Sequence, residues 1–129
     1  MKELFMSLDR KRPSDVDCYL DTCFLFYVFE HHLEKDLFSF CNDWVVAVSS
    51  FTVAEFLFHH HDMSSQVKKG IRHSINAGLR LFVVDIDVFP GNPTAERSFV
   101  SSIDSHLLSL IPDPSDAVLL ALALDSKAA

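Results

Sequence analysis

Short apolar runs alternate along this chain with longer stretches in which apolar residues return every three or four positions. Cys18-Tyr19-Leu20, Trp44–Val48 and Leu81–Val84 are runs of the first kind. Their apolar and β-branched character predicts buried strands, the first ending at Asp21 and the third at Asp85. Stretches of the second kind carry Val67, Ile71, Ile75 and Leu79, then Ala95, Phe99, Ile103 and Leu107, which are helical stripes. Leu33, Leu37, Phe38 and Cys41 predict another helix, stopping at Asn42, and Val53, Phe56 and Leu57 one more, opened by Ser50 or Thr52. The segment Thr22–His31 is apolar nearly all round, so periodicity leaves it either a buried helix or a continuing strand. Thr22, read as an N-cap, favours the helix. A last helix starts at Asp113-Pro114-Ser115-Asp116 and runs through an apolar stretch ending at Leu124.

Strands that alternate with helices, each strand apolar along its length, predict a parallel sheet covered on both faces. The 129 residues fit one domain. Residues 1–16, with their charges and the breakers Pro13 and Ser14, read as a polar lead-in, and residues 17–129 as the domain proper. The N-terminus lacks the apolar core of a secretory signal, so a cytoplasmic address is the default expectation. No apolar run reaches the roughly 20 residues of a membrane helix, so no membrane partner is expected.

Composition narrows the picture without deciding it. Hydrophobic residues are 49% of the chain and charged residues 22%, as in ordinary globular proteins, and the twelve Phe predict a Phe-rich core. Cys18, Cys23 and Cys41 match no common zinc spacing and read as buried free thiols. A formal net charge of −7 argues against a surface wrapped in nucleic acid, though not against a local nucleic-acid groove.

The chemistry lies in the carboxylates. In parallel α/β sheets, ligands collect where strand C-termini feed helix N-termini. Asp21, Glu55 and Asp116 fall at such junctions. Each also has a plain structural explanation. Thr52-x-x-Glu55 fits a capping box, Asp116 complements a helix dipole, and Asp21 caps or solvates a strand end. Together they point toward one crevice. Two carboxylates about 4 Å apart repel by roughly 4 kcal/mol at an effective dielectric near 20, a penalty that a bound divalent cation reverses. Oxygen ligands without a matching Cys/His set select Mg²⁺ or Mn²⁺ over zinc.

Three segments carry a family resemblance. Tyr19-Leu20-Asp21-Thr22-Cys23-Phe24-Leu25 resembles the opening motif of PIN-domain nucleases, with Cys23 where Asn is common. Val46 to Leu57 is similar to the second motif, a strand and then a helix carrying Glu. Pro114 to Leu124 is similar to the third, in which Asp begins an Ala-rich helix. The resemblance covers roughly residues 17–129. It implies a three-layer α/β/α sandwich, a Mg²⁺- or Mn²⁺-dependent ribonuclease leaving a 5′-phosphate, a homodimer, and often an antitoxin that blocks the groove. It implies Asp21 and Asp116 as main metal ligands, with Glu55 as a further ligand or water-orienting base. The family pattern continues into another strand that adds a fourth acidic or polar group. This sequence stops at Ala129 before that element, so the expectation is a C-terminally short domain with three acids. Asp113 is a weak substitute for the fourth, and Asp125 is badly placed.

The remaining features are secondary. Lys68, Lys69, Arg72, His73 and Arg80 are the densest basic patch, read either as a solvated helix face or as phosphate contacts that steer RNA. Thr22 is a further substrate-contact candidate. Asp85-x-Asp87 resembles a haloacid-dehalogenase nucleophile loop, but the downstream motifs of that family are absent. His31 and His32, and likewise His59-His60-His61, are adjacent in sequence and point in different directions, so they do not form a shared metal site. The alternatives to a nuclease are a catalytically weak PIN-like RNA- or protein-binding module, and a structural domain whose acids only cap helices.

Overall fold

The computed structural model describes residues 1–59 and 62–127. Among them are three strands, β1 (Cys18–Tyr19), β2 (Val46–Ser49) and β3 (Leu81–Val84). The helices are α1 (Lys2–Met6), α2 (Thr22–Glu30), α3 (Glu34–Asp43), α4 (Ser50–Phe58), α5 (Ser65–Asn76), α6 (Pro93–Ile103), α7 (Leu107–Leu110) and α8 (Pro114–Ser126). The strands form one parallel sheet in the order β1-β2-β3, with Cys18 opposite Val46 and Val46 opposite Leu81. The protein is a mixed α/β fold, as the alternation of patterns predicts.

Successive strand residues face opposite sides, and the core divides accordingly. Leu20, Val46, Val48, Leu81 and Val83 join the larger cluster, with Leu25, Val28 and Phe29 of α2, Phe56 of α4, and Val67 and Ile71 of α5. Tyr19, Ala47 and Val84 face the other way and meet Leu122 of α8. Parallel strands apolar on both faces need cover on both, which is why each run reads as continuously hydrophobic. A further cluster joins the start of α4 to α6, α7 and α8 through Phe51, Val100, Leu107, Ala117 and Val118. Gly70, inside α5, lets that helix lie close to its neighbours: a Cβ there would stand 3.2 Å from Glu34 Oε1 and 3.3 Å from Phe29 Cδ1.

Several local expectations change. The run Thr22–His31 is helical, but Asp21 rather than Thr22 caps it, accepting the Phe24 N–H at 2.7 Å. Trp44 follows the last turn of α3 and is exposed, so β2 starts only at Val46. Cys41 is buried and Cys18 half-buried, but Cys23 is exposed. Burial pushes the Cys41 thiol up to about 11, which keeps it protonated and unreactive.

Residues 1–16 are not a detached lead-in. Phe5 and Leu8 are buried in the larger core cluster, and the Phe5 ring meets Phe56 edge-on at 5.4 Å. Arg10 forms a parallel bridge with Val83, whose N–H donates to the Asp9 carbonyl and whose carbonyl accepts the Lys11 N–H. The outer edge of β3 is thereby covered. On its free side β1 has no partner strand among the described residues. Instead a cavity of about 380 Å³ runs along Cys18, Tyr19, Leu20 and Asp21, walled by Phe24, Phe40 and Leu119. No described helix is long and apolar enough to cross a membrane.

Candidate metal centre

Three chain turns converge at the C-terminal end of the sheet. After β1 the chain enters α2 at Asp21, and after β2 it enters α4 at Ser49. The end of β3 is tied to the start of α4 by Ser50, whose hydroxyl accepts the Ile86 N–H at 2.9 Å. The N-terminus of α8 closes the same region. Asp21, Thr22, Glu55, Ser115 and Asp116 line one cavity there, of about 330 Å³.

The hydrogen bonds separate the acids needed for helix starts from those that are not. Ser49, not Thr52, caps α4: its Oγ accepts the Thr52 N–H at 2.9 Å, and its hydroxyl donates to Thr52 Oγ1 at 3.1 Å. The expected Thr52–Glu55 capping box is therefore absent, because the helix begins three residues earlier than that box requires. Asp113 caps α8, accepting the Ser115 N–H at 3.0 Å, which leaves Asp116 in the first turn without a capping bond. Asp21 caps α2 through Oδ1 alone. Thus Glu55 and Asp116 are not occupied in capping, and Asp21 commits one oxygen.

Glu55 carries the electrostatic signature of this crowding. Burial raises its pKa above the usual carboxylate value, and the nearby charges of Asp116 and Glu96 raise it further. The Thr22 hydroxyl adds a second anomaly: Oγ1 is buried and has no hydrogen-bond partner among the described residues. Buried polar atoms are rarely left so, and orphans of this kind concentrate at binding sites.

Comparison with known protein families, curated proteins and solved structures gives no match. The chemistry has to be judged from the residues themselves.

Among the described residues, no three His, Cys, Asp or Glu side chains stand close enough to ligate one ion jointly. The three acids share a cavity rather than a closed cage. Mg²⁺ sites commonly keep several waters and use one or two carboxylates plus a substrate phosphate in place of such a cage. The shared cavity does not suit a dehydrated structural site. The donors lining the cavity are oxygens apart from the Cys23 thiol, and His59 at the end of α4 lies 3.9 Å from Asp62 and lines the adjoining cavity with Glu55, whose pKa its charge lowers against the upward pull of burial. His60 and His61 lie outside the described residues. His32 sits in the turn after α2, with its Nε2 2.8 Å from Gln66 Nε2.

Of the expected substrate contacts, Thr22 lines the cavity and Lys68, Lys69 and Arg72 do not. Burial of Val67 and Ile71 packs α5 against α2, and this turns Lys69 and Arg72 to solvent. Asp85 pairs with Arg10 at 3.0 Å. Asp125 lies at the far end of α8, near Tyr19.

Glu96 escaped sequence reading. It belongs to α6 and is only 1% exposed, with Oε1 accepting the Ser115 hydroxyl at 2.8 Å. A carboxylate fixed beside the start of α8 complements that helix's dipole and adds negative potential at Glu55. Its one sequence signal is the i, i+4 pairing with Val100, which places it on the buried face. Glu96→Ala should destabilise the protein by about 1–3 kcal/mol by stranding the Ser115 hydroxyl. Urea unfolding of the variant measures this.

Proposed function

We propose that the protein is a PIN-like, Mg²⁺- or Mn²⁺-dependent endoribonuclease with a three-layer α/β/α arrangement. One observation carries the reading. Asp21, Glu55 and Asp116 line a common cavity from separate chain turns, and neither Glu55 nor Asp116 makes a capping hydrogen bond, that part falling to Ser49 and Asp113. Carboxylates brought to one cavity repel one another, and a hard divalent cation offsets that cost.

Asp21 Oδ2 and the Asp116 carboxylate would be the main groups to hold the ion. A bound cation would supply a water of lowered pKa and neutralise charge on the scissile phosphodiester. Glu55, with its raised proton affinity, is suited to accept a proton from an attacking water and to orient it. A second copy of the chain and a groove-blocking antitoxin are the partners this reading brings with it.

The test is Mn²⁺-dependent cleavage of single-stranded RNA, with products sized on a denaturing gel. Asp21→Asn and Asp116→Asn should each abolish it while leaving the circular dichroism spectrum intact. Cleavage that survives both substitutions, or needs no divalent ion, rejects the assignment. A second reading, a non-cutting PIN-like RNA- or protein-binding module, is favoured by the open placement of the acids. It requires retained RNA or partner affinity with no product.

A further inference from the structure

Large apolar side chains are left in solvent on one flank of the acid cavity. Phe58 is 80% exposed and Phe89 67%, and together they wall a cavity of about 360 Å³. Glu55 lines this cavity and the acid cavity alike, so the two adjoin. On its far side the aromatic cavity shares Ala54 and Phe89 with a third, of about 230 Å³, whose rim carries Lys2 and Arg10. Arg10 is engaged by Asp85 and by the Leu8 carbonyl, whereas Lys2 makes no ion pair among the described residues. The order along the surface is therefore carboxylates, aromatic rings, then a largely apolar hollow lined by Phe5, Val53 and Leu57 with Lys2 at its rim.

We propose that this run is a track for single-stranded RNA: a phosphodiester sits at the acid cavity, a neighbouring base stacks on Phe58 and Phe89, and the next phosphate meets Lys2. The assignment rests on the nuclease reading for the direction of the track, and on the exposed rings for its content. The alternation fits a polynucleotide, in which charged phosphates and flat bases repeat. Base stacking on aromatic side chains tolerates any sequence and requires bases freed from a duplex. In a chain of net charge −7 it also supplies affinity that long-range attraction does not. Neither the acid cavity nor the aromatic cavity is lined by Lys or Arg among the described residues. Salt should therefore weaken binding only slightly, with a slope of log K against log salt of about −0.7 for each phosphate so met.

The experiment is fluorescence anisotropy with a labelled eight-nucleotide single-stranded RNA in Ca²⁺, alongside a strand of the same length with abasic positions throughout. Wild type should prefer the base-bearing strand. Phe58→Ala and Phe89→Ala should each weaken that binding roughly 5- to 150-fold, the range of one stacked base, with no change toward the abasic strand. Phe89→Trp should restore it, and Lys2→Ala should flatten the salt slope by about 0.7. Equal affinity for both strands, no detectable binding of either, or Phe variants that bind like wild type would overturn the track. So would sedimentation showing that Phe89→Ala turns a dimer into a monomer, since the rings would then cover a second copy. Cleavage in Mn²⁺ is scored separately on the same samples. Base-dependent binding without cleavage rejects the nuclease and keeps the track; cleavage with unaltered Phe variants does the reverse.

Discussion

At a Mn²⁺ concentration about a hundred times its dissociation constant, the wild-type protein should melt about 10 °C higher than in chelator. Binding at that excess adds ~2.7 kcal/mol of stability, and a domain of this size gains about 4 °C per kcal/mol. Asp116→Asn should lose most of the shift. Glu55→Gln gives the sharper result because its effect changes sign. The pKa of Glu55 is raised in the folded protein, by burial first and by Asp116 and Glu96 next. The folded state therefore binds that proton more tightly than the unfolded chain does. The stability this contributes is complete below the unfolded value of 4.5 and is lost as pH rises through the raised one. At neutral pH without metal, ionised Glu55 is a burden, and Glu55→Gln should melt above wild type. With saturating Mn²⁺ the order should reverse, and near pH 4 without metal the two should converge. A Glu55→Gln variant that melts lower under every condition would mean that the carboxylate serves packing and not an ion. Differential scanning fluorimetry across pH, with and without Mn²⁺, reads all three comparisons.

Phe5→Ala should cost about 3–5 kcal/mol, the range for a buried Phe truncated to Ala. Set against a total stability of about 5–15 kcal/mol for a domain, that loss brings the protein close to unfolding. The reason is that Phe5 lies at 3% exposure against Phe56, within the cluster under the sheet. Deleting residues 1–12 should do more, since it also strips Asp9–Lys11 from β3. The measurement is the urea midpoint. A change below about 0.5 kcal/mol, typical of surface positions, would return the segment to the status of a tail.

That segment also shows where sequence reading stops. β2, β3, α5 and α8 were legible because each is written locally: Val67, Ile71 and Ile75 at helical spacing for α5, continuous apolar runs for the strands, and an apolar run after Asp113-Pro114 for α8. Phe5 and Leu8 are isolated between charges, and their partners lie near Phe56 and Val83, so no local period marks them. The direction of Thr22–His31 was open because an all-round apolar run satisfies strand and helix alike. A carboxylate oxygen settled it, Asp21 Oδ1 on the Phe24 N–H.

At the site, the three acids were legible because strand-to-helix junctions can be found from pattern alone. Which acids were free of capping was not, since that turns on whether a helix starts at Ser49 or at Thr52, an offset below the resolution of periodicity. Glu96 was invisible because a charged residue reads as solvated until a partner such as Ser115 is seen. The exposure of Phe58 and Phe89 was equally hidden, since apolar character gives no sign of which rings the fold leaves outside.

The sheet's two borders differ in what they can recruit. Along β3 the backbone is already engaged by Arg10 and its neighbours, so a foreign strand arriving there finds nothing to pair with. Along β1 no described strand pairs with the border, the condition under which sheets template one another into aggregates. It is also only two residues long, too short a rail for an incoming chain to hold with its own backbone. Brevity guards this protein's remaining border, and lengthening β1 by design would remove the guard.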